Sequence, residues 1–198
     1  MKLIIASNNK KKITELRAIL TDMGFETVSQ SEAGLTLEPE ETGNTFAENA
    51  YIKAHAVMAQ SGCAAVADDS GLEVLALDGS PGIYSARYGG DAGLSDADRT
   101  RLLIKNLQGI SDRSARFVSS IACVFPDGGT VTAEGYWDGE ILSECKGEGG
   151  FGYDPVFYDP RIGLTAAEMP PEQKNKISHR ATALIKFREN MEKCNANR

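Results

Sequence analysis

Thr45-Phe46-Ala47-Glu48-Asn49-Ala50-Tyr51-Ile52-Lys53-Ala54-His55-Ala56-Val57 runs on through Gly62 into Cys63-Ala64-Ala65-Val66-Ala67-Asp68-Asp69-Ser70-Gly71, and the stretch changes period on the way. Phe46, Ala50, Ala54 and Val57 recur at helical steps and share one face. Thr45 followed three residues later by Glu48 reads as a capping box, and Gly62 stands where a helix starting there should stop, after Ser61. Residues 63–67 are then a short apolar run, a buried strand cut off by the polar Asp68-Asp69-Ser70-Gly71. A helix passing directly into a strand is the unit from which α/β layers are built.

The same alternation extends in both directions. Upstream, residues 2–6 are apolar and end in the polar turn Ser7-Asn8-Asn9. Ile13, Leu16, Ile19 or Leu20, and Met23 follow at helical spacing, with Gly24 as the terminating glycine. Residues 25–29 read as a second strand and 38–43 as an acidic loop. Downstream, residues 78–93 are glycine-rich loop and 95–106 are helical. Residues 116–125 and 130–137 form a hairpin around Pro126-Asp127-Gly128-Gly129. Residues 141–145 extend the sheet, 146–159 are rich in glycine and aromatics, and a last helix covers 175–193. The pattern is that of an α/β protein, and 198 residues fit one domain or a tight pair of lobes.

Composition narrows the function. Apolar residues make up 41% and the formal charge is −7, so the basic footprint of a duplex nucleic-acid binder is missing. Small anions are held by local clusters, on which net charge is silent. Cys63, Cys123, Cys145 and Cys194 show no C-x-x-C spacing, which argues against a zinc or redox motif and for reduced thiols. No apolar run approaches the roughly 18 residues of a membrane span, and the N-terminal apolar run is too short for a signal peptide. The expectation is a soluble cytoplasmic protein with no nucleic-acid or membrane partner.

Five groupings are able to carry chemistry. Lys10-Lys11-Lys12 opens the first helix, where three cations oppose the positive end of the macrodipole; an anion bound there would resolve the conflict, and a solvated lysine cluster is the plainer reading. Glu40-Glu41 precede the helix that bears Lys53, which lies at the margin of the apolar face and either snorkels or points into a cleft. Asp68-Asp69-Ser70-Gly71 follow a strand, at the end where open α/β sheets place ligands. Adjacent carboxylates there suit a hard cation such as magnesium or manganese, and strand alternation sends Asp68 and Asp69 to opposite sides. Gly149-Gly150-Phe151-Gly152-Tyr153-Asp154-Pro155 either packs an aromatic under a loop or exposes Phe151 to stack on a base. Lys174 with Ser178-His179-Arg180 gathers donors for a base edge or a phosphate. His55 reads as structural.

In this order the motifs resemble the inosine triphosphate pyrophosphatase, or Ham1-like, family. The resemblance rests on residues 7–12, 40–46, 68–72, 81–88 (Pro-Gly-Ile-Tyr-Ser-Ala-Arg-Tyr), 150–155 and 177–180. Lys11 departs from the glycine frequent in such proteins, which touches the shape of the turn and leaves Lys12 its phosphate role. The resemblance implies an elongated mixed sheet flanked by helices, in two lobes around a nucleotide-binding cleft. It implies a magnesium-dependent homodimer that hydrolyses inosine, deoxyinosine and xanthosine triphosphates to monophosphate and pyrophosphate, clearing deaminated purines from the nucleotide pool. The matching positions put Ser7, Asn8, Asn9, Lys10, Lys11, Lys12, Lys53, Ser70, Arg87, Phe151, Gly152, Tyr153, Asp154, Lys174, His179 and Arg180 on the substrate. Glu41 and Asp69 hold the metal. Asp69 is the candidate base, with Asp68 as the fallback. A Maf-like pyrophosphatase with other base preferences, or a sensor that binds without hydrolysis, are the competing readings.

Overall fold

The computed structural model describes residues 1–90 and 94–196; Gly93, part of the glycine-rich stretch noted above, lies outside them. The elements in order are β1 (Lys2–Ile5), α1 (Lys10–Asp22), β2 (Glu26–Ser29), α2 (Phe46–Ser61), β3 (Ala65–Val74), α3 (Asp96–Asn106), β4 (Ser114–Val124), β5 (Thr130–Ile141), β6 (Phe157–Asp159), β7 (Leu164–Thr165), α4 (Pro171–Ile177) and α5 (His179–Ala196). Short 3-10 turns at Leu75–Leu77 and Gly82–Arg87 follow β3. The strands form one sheet in the order β2-β1-β3-β4-β5-β6-β7. It is mixed: β1 pairs in parallel with β2 and β3, while β5, β6 and β7 pair antiparallel. No helix among the described residues is long and apolar enough to cross a membrane.

The chain divides into two compact units, one of residues 1–69, 119–135 and 179–198 and one of residues 70–118 and 136–178. In the first, α1 and α5 bury Leu16, Leu20, Leu184 and Phe187 against Leu3, Ile5, Val66, Ile121 and Val131 on one face of the sheet. On the other face α2 packs Ala50, Ala54 and Val57 against Ile4, Ala65, Ala67, Ala122 and Val124. Alanine at these sites lets the helix lie close to the strands. Gly135 on β5 serves the same end: a Cβ there would collide with the backbone of His179 and Ala183 in α5. The second unit has its own core around Leu72, Leu103, Phe117, Trp137, Val156 and Phe157.

Helix ends follow local chemistry. Asn9 caps α1, accepting from the N–H groups of Lys11 and Lys12. Thr45 caps α2 by accepting from the Glu48 N–H, but the expected box is displaced by one residue, because the Glu48 carboxylate takes the Asn44 N–H at 2.6 Å. Gly62 stops α2 in the left-handed region, at φ 65°.

Three expectations need correction. Asp68-Asp69-Ser70-Gly71 do not close a strand; β3 passes straight through them to Val74, because partners from other elements neutralise the two buried carboxylates. Residues 142–145 do not extend the sheet. It is β5 that runs on to Ile141, and β6 and β7 complete that edge. The last helix is two helices, parted at Ser178, whose φ −65° and ψ 162° are those of a residue that starts a helix afresh.

Candidate active site

The first unit gathers seven charged side chains from four elements and one loop. Lys12 and Glu15 come from α1, Glu41 from the loop before α2, Lys53 from α2, Asp68 and Asp69 from β3, and Arg180 from α5. Alternation along β3 sends its two aspartates into different partnerships, as the strand period requires. Asp68, 2% exposed, accepts from Ser119 Oγ, from Arg180 Nη2 at 3.1 Å and pairs with Lys12 Nζ at 3.1 Å. Arg180 spends its other terminal nitrogen on Glu15. Asp69 accepts from Lys53 Nζ at 2.6 Å, and the same ammonium donates to Glu41 Oε1 at 3.0 Å.

These partnerships pull the neighbouring carboxyls in opposite directions. Burial works to raise Asp68, but Arg180, Lys12 and Ser119 outweigh it and hold the group well below the usual carboxylate range. Burial raises Asp69, and Lys53 and Lys12 offset that only in part. For Lys53, burial is outweighed by Asp69 and Glu41, so its ammonium is held more firmly than usual. Lys12 goes the other way: burial lowers it despite Asp68. Asp68 is therefore a fixed negative charge, whereas Asp69 is the one able to take up a proton.

Three cations here face four carboxylates, leaving an excess of negative charge that a divalent cation would reverse. Glu41 and Asp69, drawn together by one ammonium, are oxygen donors of the kind magnesium prefers, and magnesium completes its shell with water and phosphate oxygens. No group of three or more His, Cys, Asp or Glu forms a ready cage among the described residues. A two-carboxylate site fits magnesium all the same.

The remaining residues of this unit are placed less directly. Ser7 Oγ accepts the Asn9 N–H. Asn8 fastens the loop before α2, donating to the Leu37 carbonyl and accepting from Gln30. Asn9 already caps the Lys11 and Lys12 N–H groups, and Lys10 and Lys11 are exposed at the same helix start. His179 is buried. The Arg180 guanidinium is 1% exposed, and its two terminal nitrogens pair with Glu15 and Asp68.

The second unit holds the other set. Asp154 Oδ2 accepts the Phe151 N–H at 2.8 Å and the Lys174 ammonium at 2.6 Å, and Lys174 Nζ lies 5.2 Å from the centre of the half-buried Phe151 ring. Gly150, at φ 71°, has no room for a Cβ against the Asp154 carboxylate, which is why the turn needs glycine. Tyr153 is buried, and its hydroxyl donates to the Ser85 carbonyl at 2.9 Å. Ser70 lies on strand β3 instead of the expected loop. Arg87 ends the 3-10 turn, exposed over the Tyr84 ring.

Sequence reasoning missed the supporting residues. Glu15 follows Lys12 by three positions, a spacing that puts both on one face of α1 and could have revealed it. Ser119 carries no local signal at all.

Similarity to known proteins agrees with this arrangement. A sequence model of the Ham1 family matches residues 3–190. The dITP/XTP pyrophosphatase of Methylococcus capsulatus is 50% identical over 186 residues, 92% of each chain. That of Desulforamulus reducens is 50% identical over 191 residues, 96% of this chain and 94% of the relative. Among solved structures, a HAM1 protein from Coxiella burnetii superposes with a TM-score of 0.87 at 40% identity, covering 98% of this chain and 99% of the other. The Staphylococcus aureus Ham1 protein gives 0.85 at 42% identity, covering 97% and 98%. The match reaches into both units and includes every charged group described above, and the chain therefore belongs to the Ham1 family.

Proposed function

We propose that this protein hydrolyses deaminated purine nucleoside triphosphates, those of deoxyinosine, inosine and xanthosine, to the monophosphate and pyrophosphate. The observation that carries the reading is the ammonium of Lys53 shared between Glu41 and Asp69, beside Asp68 and Lys12. Lysines meet a triphosphate as point charges, and carboxylates at the same place make sense only if a metal intervenes. Relatives named dITP/XTP pyrophosphatase over nearly the whole length supply the substrate class.

In this reading Lys12 and Lys53 bind the phosphate chain. Asp69, raised by burial, orients and deprotonates the attacking water, a role for which a carboxyl nearer neutrality is suited. Asp68 keeps Lys12 and Arg180 in place and stays ionised. Magnesium held by Glu41 and Asp69 would offset negative charge on the phosphates. Phe151 stacks on the base and Lys174 supports it. Preference for a 6-oxo purine comes from donors that an adenine amino group would leave unpaired, at about 1–3 kcal/mol each. We carry over from the family reading a cytoplasmic homodimer.

The test is product analysis with a panel of triphosphates, with and without magnesium. Monophosphate plus pyrophosphate from deoxyinosine triphosphate, dependent on the metal, is expected. Diphosphate plus orthophosphate would refute the reaction, and binding without turnover would favour a sensor.

A further inference from the structure

Within the second unit, Gly152, the residue after Phe151, is gripped by α3 through both of the peptide groups that flank it. The Gly152 N–H donates to Asp96 Oδ2 at 2.9 Å, and the Gly152 carbonyl accepts from Thr100 Oγ1 at 3.3 Å. Asp96 and Thr100 are one helical turn apart on α3, so a single face of the helix supplies both partners. A threonine within a helix commonly turns its hydroxyl back to the carbonyl four residues earlier. Here the hydroxyl of a threonine that is 2% exposed is aimed at a loop more than fifty residues away in sequence. Asp96 is itself steadied by Arg99 at 2.6 Å, and Arg99 also donates to the Leu94 carbonyl.

These contacts complete a set around one side chain. The Phe151 N–H is held by Asp154, its ring lies over the Lys174 ammonium, the peptide beyond it is held by Asp96 through the Gly152 N–H, and the one after that is held by Thr100 through the Gly152 carbonyl. Both flanking peptide planes are thus fixed, and with them the direction of the Cα–Cβ bond. A glycine at φ 60° next to the ring would otherwise leave the loop free to re-aim it.

We propose that Asp96 and Thr100 are positioning residues for the purine: they hold Phe151 so that its ring meets the base without first having to be ordered. This rests on the reading that Phe151 stacks on the base. Preorganisation of this kind appears in binding, because the entropy of ordering the ring is no longer lost when the nucleotide enters.

The experiment compares Thr100→Val, Thr100→Ser, Asp96→Asn and Phe151→Leu in steady-state kinetics with deoxyinosine triphosphate. Thr100→Val keeps the shape and removes the hydroxyl. It should raise KM about threefold to tenfold, the size of one lost hydrogen bond, with kcat changed less than about twofold. Thr100→Ser should restore KM, and Asp96→Asn should shift it in the same direction as Thr100→Val. A second readout uses Phe151→Trp, which adds an indole to a chain whose one tryptophan, Trp137, is buried. Its fluorescence anisotropy should fall when Thr100→Val is added. If Phe151→Leu raises KM while Thr100→Val and Asp96→Asn leave it unchanged, or if they lower kcat and kcat/KM equally, the positioning role is wrong. If Phe151→Leu itself leaves KM unchanged, the stacking reading fails, and this proposal fails with it.

Discussion

The ammonium of Lys53 stands 2.6 Å from Asp69 Oδ1 and is the main cation opposing the effect of burial on that carboxyl. Glu41 shares the ammonium from the other side. Replacing Lys53 by Met would leave two carboxylates confronting one another. The metal-free variant should melt at lower temperature than the parent, and magnesium should raise its melting temperature by more than it raises the parent's. Turnover should fall at least about a hundredfold if, as proposed, Lys53 is an electrostatic partner of the reacting phosphates. Thermal melts with and without magnesium, beside kcat, check this.

Asp68 and Asp69 should fail differently when each is made Asn. Asp69→Asn should keep the fold and lose most turnover. Asp68→Asn removes the charge that holds buried Arg180 and Lys12, and breaking a buried pair costs about 3–5 kcal/mol. Urea unfolding of the two variants, set beside their kcat, distinguishes a chemical role from a supporting one. Equal stabilities would undo the division of labour drawn between them.

Arg180→Ala follows the same logic. Because the guanidinium is committed to Asp68 and Glu15, kcat/KM should drop by the same factor for inosine and adenosine triphosphates. A loss of the preference for inosine would mean that Arg180 leaves its carboxylates to read the base.

The thiols give an inexpensive test of the packing. Cys63, Cys145 and Cys194 are exposed, while burial pushes the Cys123 thiol up to about 12. At pH 8 the native protein should react rapidly at three of its four cysteines, and the fourth should appear only in denaturant. Four fast thiols would mean that the core around Cys123 is open.

Asp159 links acid stability to a spectroscopic signal. Hydrogen bonds from Arg161, and after them the Trp137 indole N–H, hold its carboxyl down at about 2. A carboxyl depressed in the folded state contributes stability that is present above its unfolded value near 4 and fades as the pH falls toward about 2. With Arg161 largely in solvent, the contribution should not exceed about 1–2 kcal/mol. Asp159→Asn should flatten that part of the stability curve, read by Trp137 fluorescence in urea at pH 2–5.

Where signals were local, the sequence was sufficient. Thr45 starts a helix and Gly62 stops one, because a cap acts on groups within three residues of itself. β3 was misjudged at Asp68 for the opposite reason. Two carboxylates and a glycine look like a turn unless one knows that Ser119, Arg180, Lys12 and Lys53 will surround them, and those partners come from elsewhere in the chain. β6 and β7, three and two residues long, are too brief to show a period. The break at Ser178 was hidden in a continuous helical pattern. At the site, the charged residues could be picked out one by one, but their pairing could not. Ser119, Asp96 and Thr100 became visible only once helices and strands were laid beside each other.

Gly135 shows how a position without a side chain can govern chemistry. On β5 it alternates with exposed residues and looks open to any substitution. Yet the first turn of α5 rests directly on it, and Arg180 belongs to that turn. Even a methyl group there would push the helix outward and draw the guanidinium away from Asp68. Mutational scanning should therefore find Gly135 as intolerant as a catalytic carboxylate, and a search for inactivating variants confined to polar residues would overlook it.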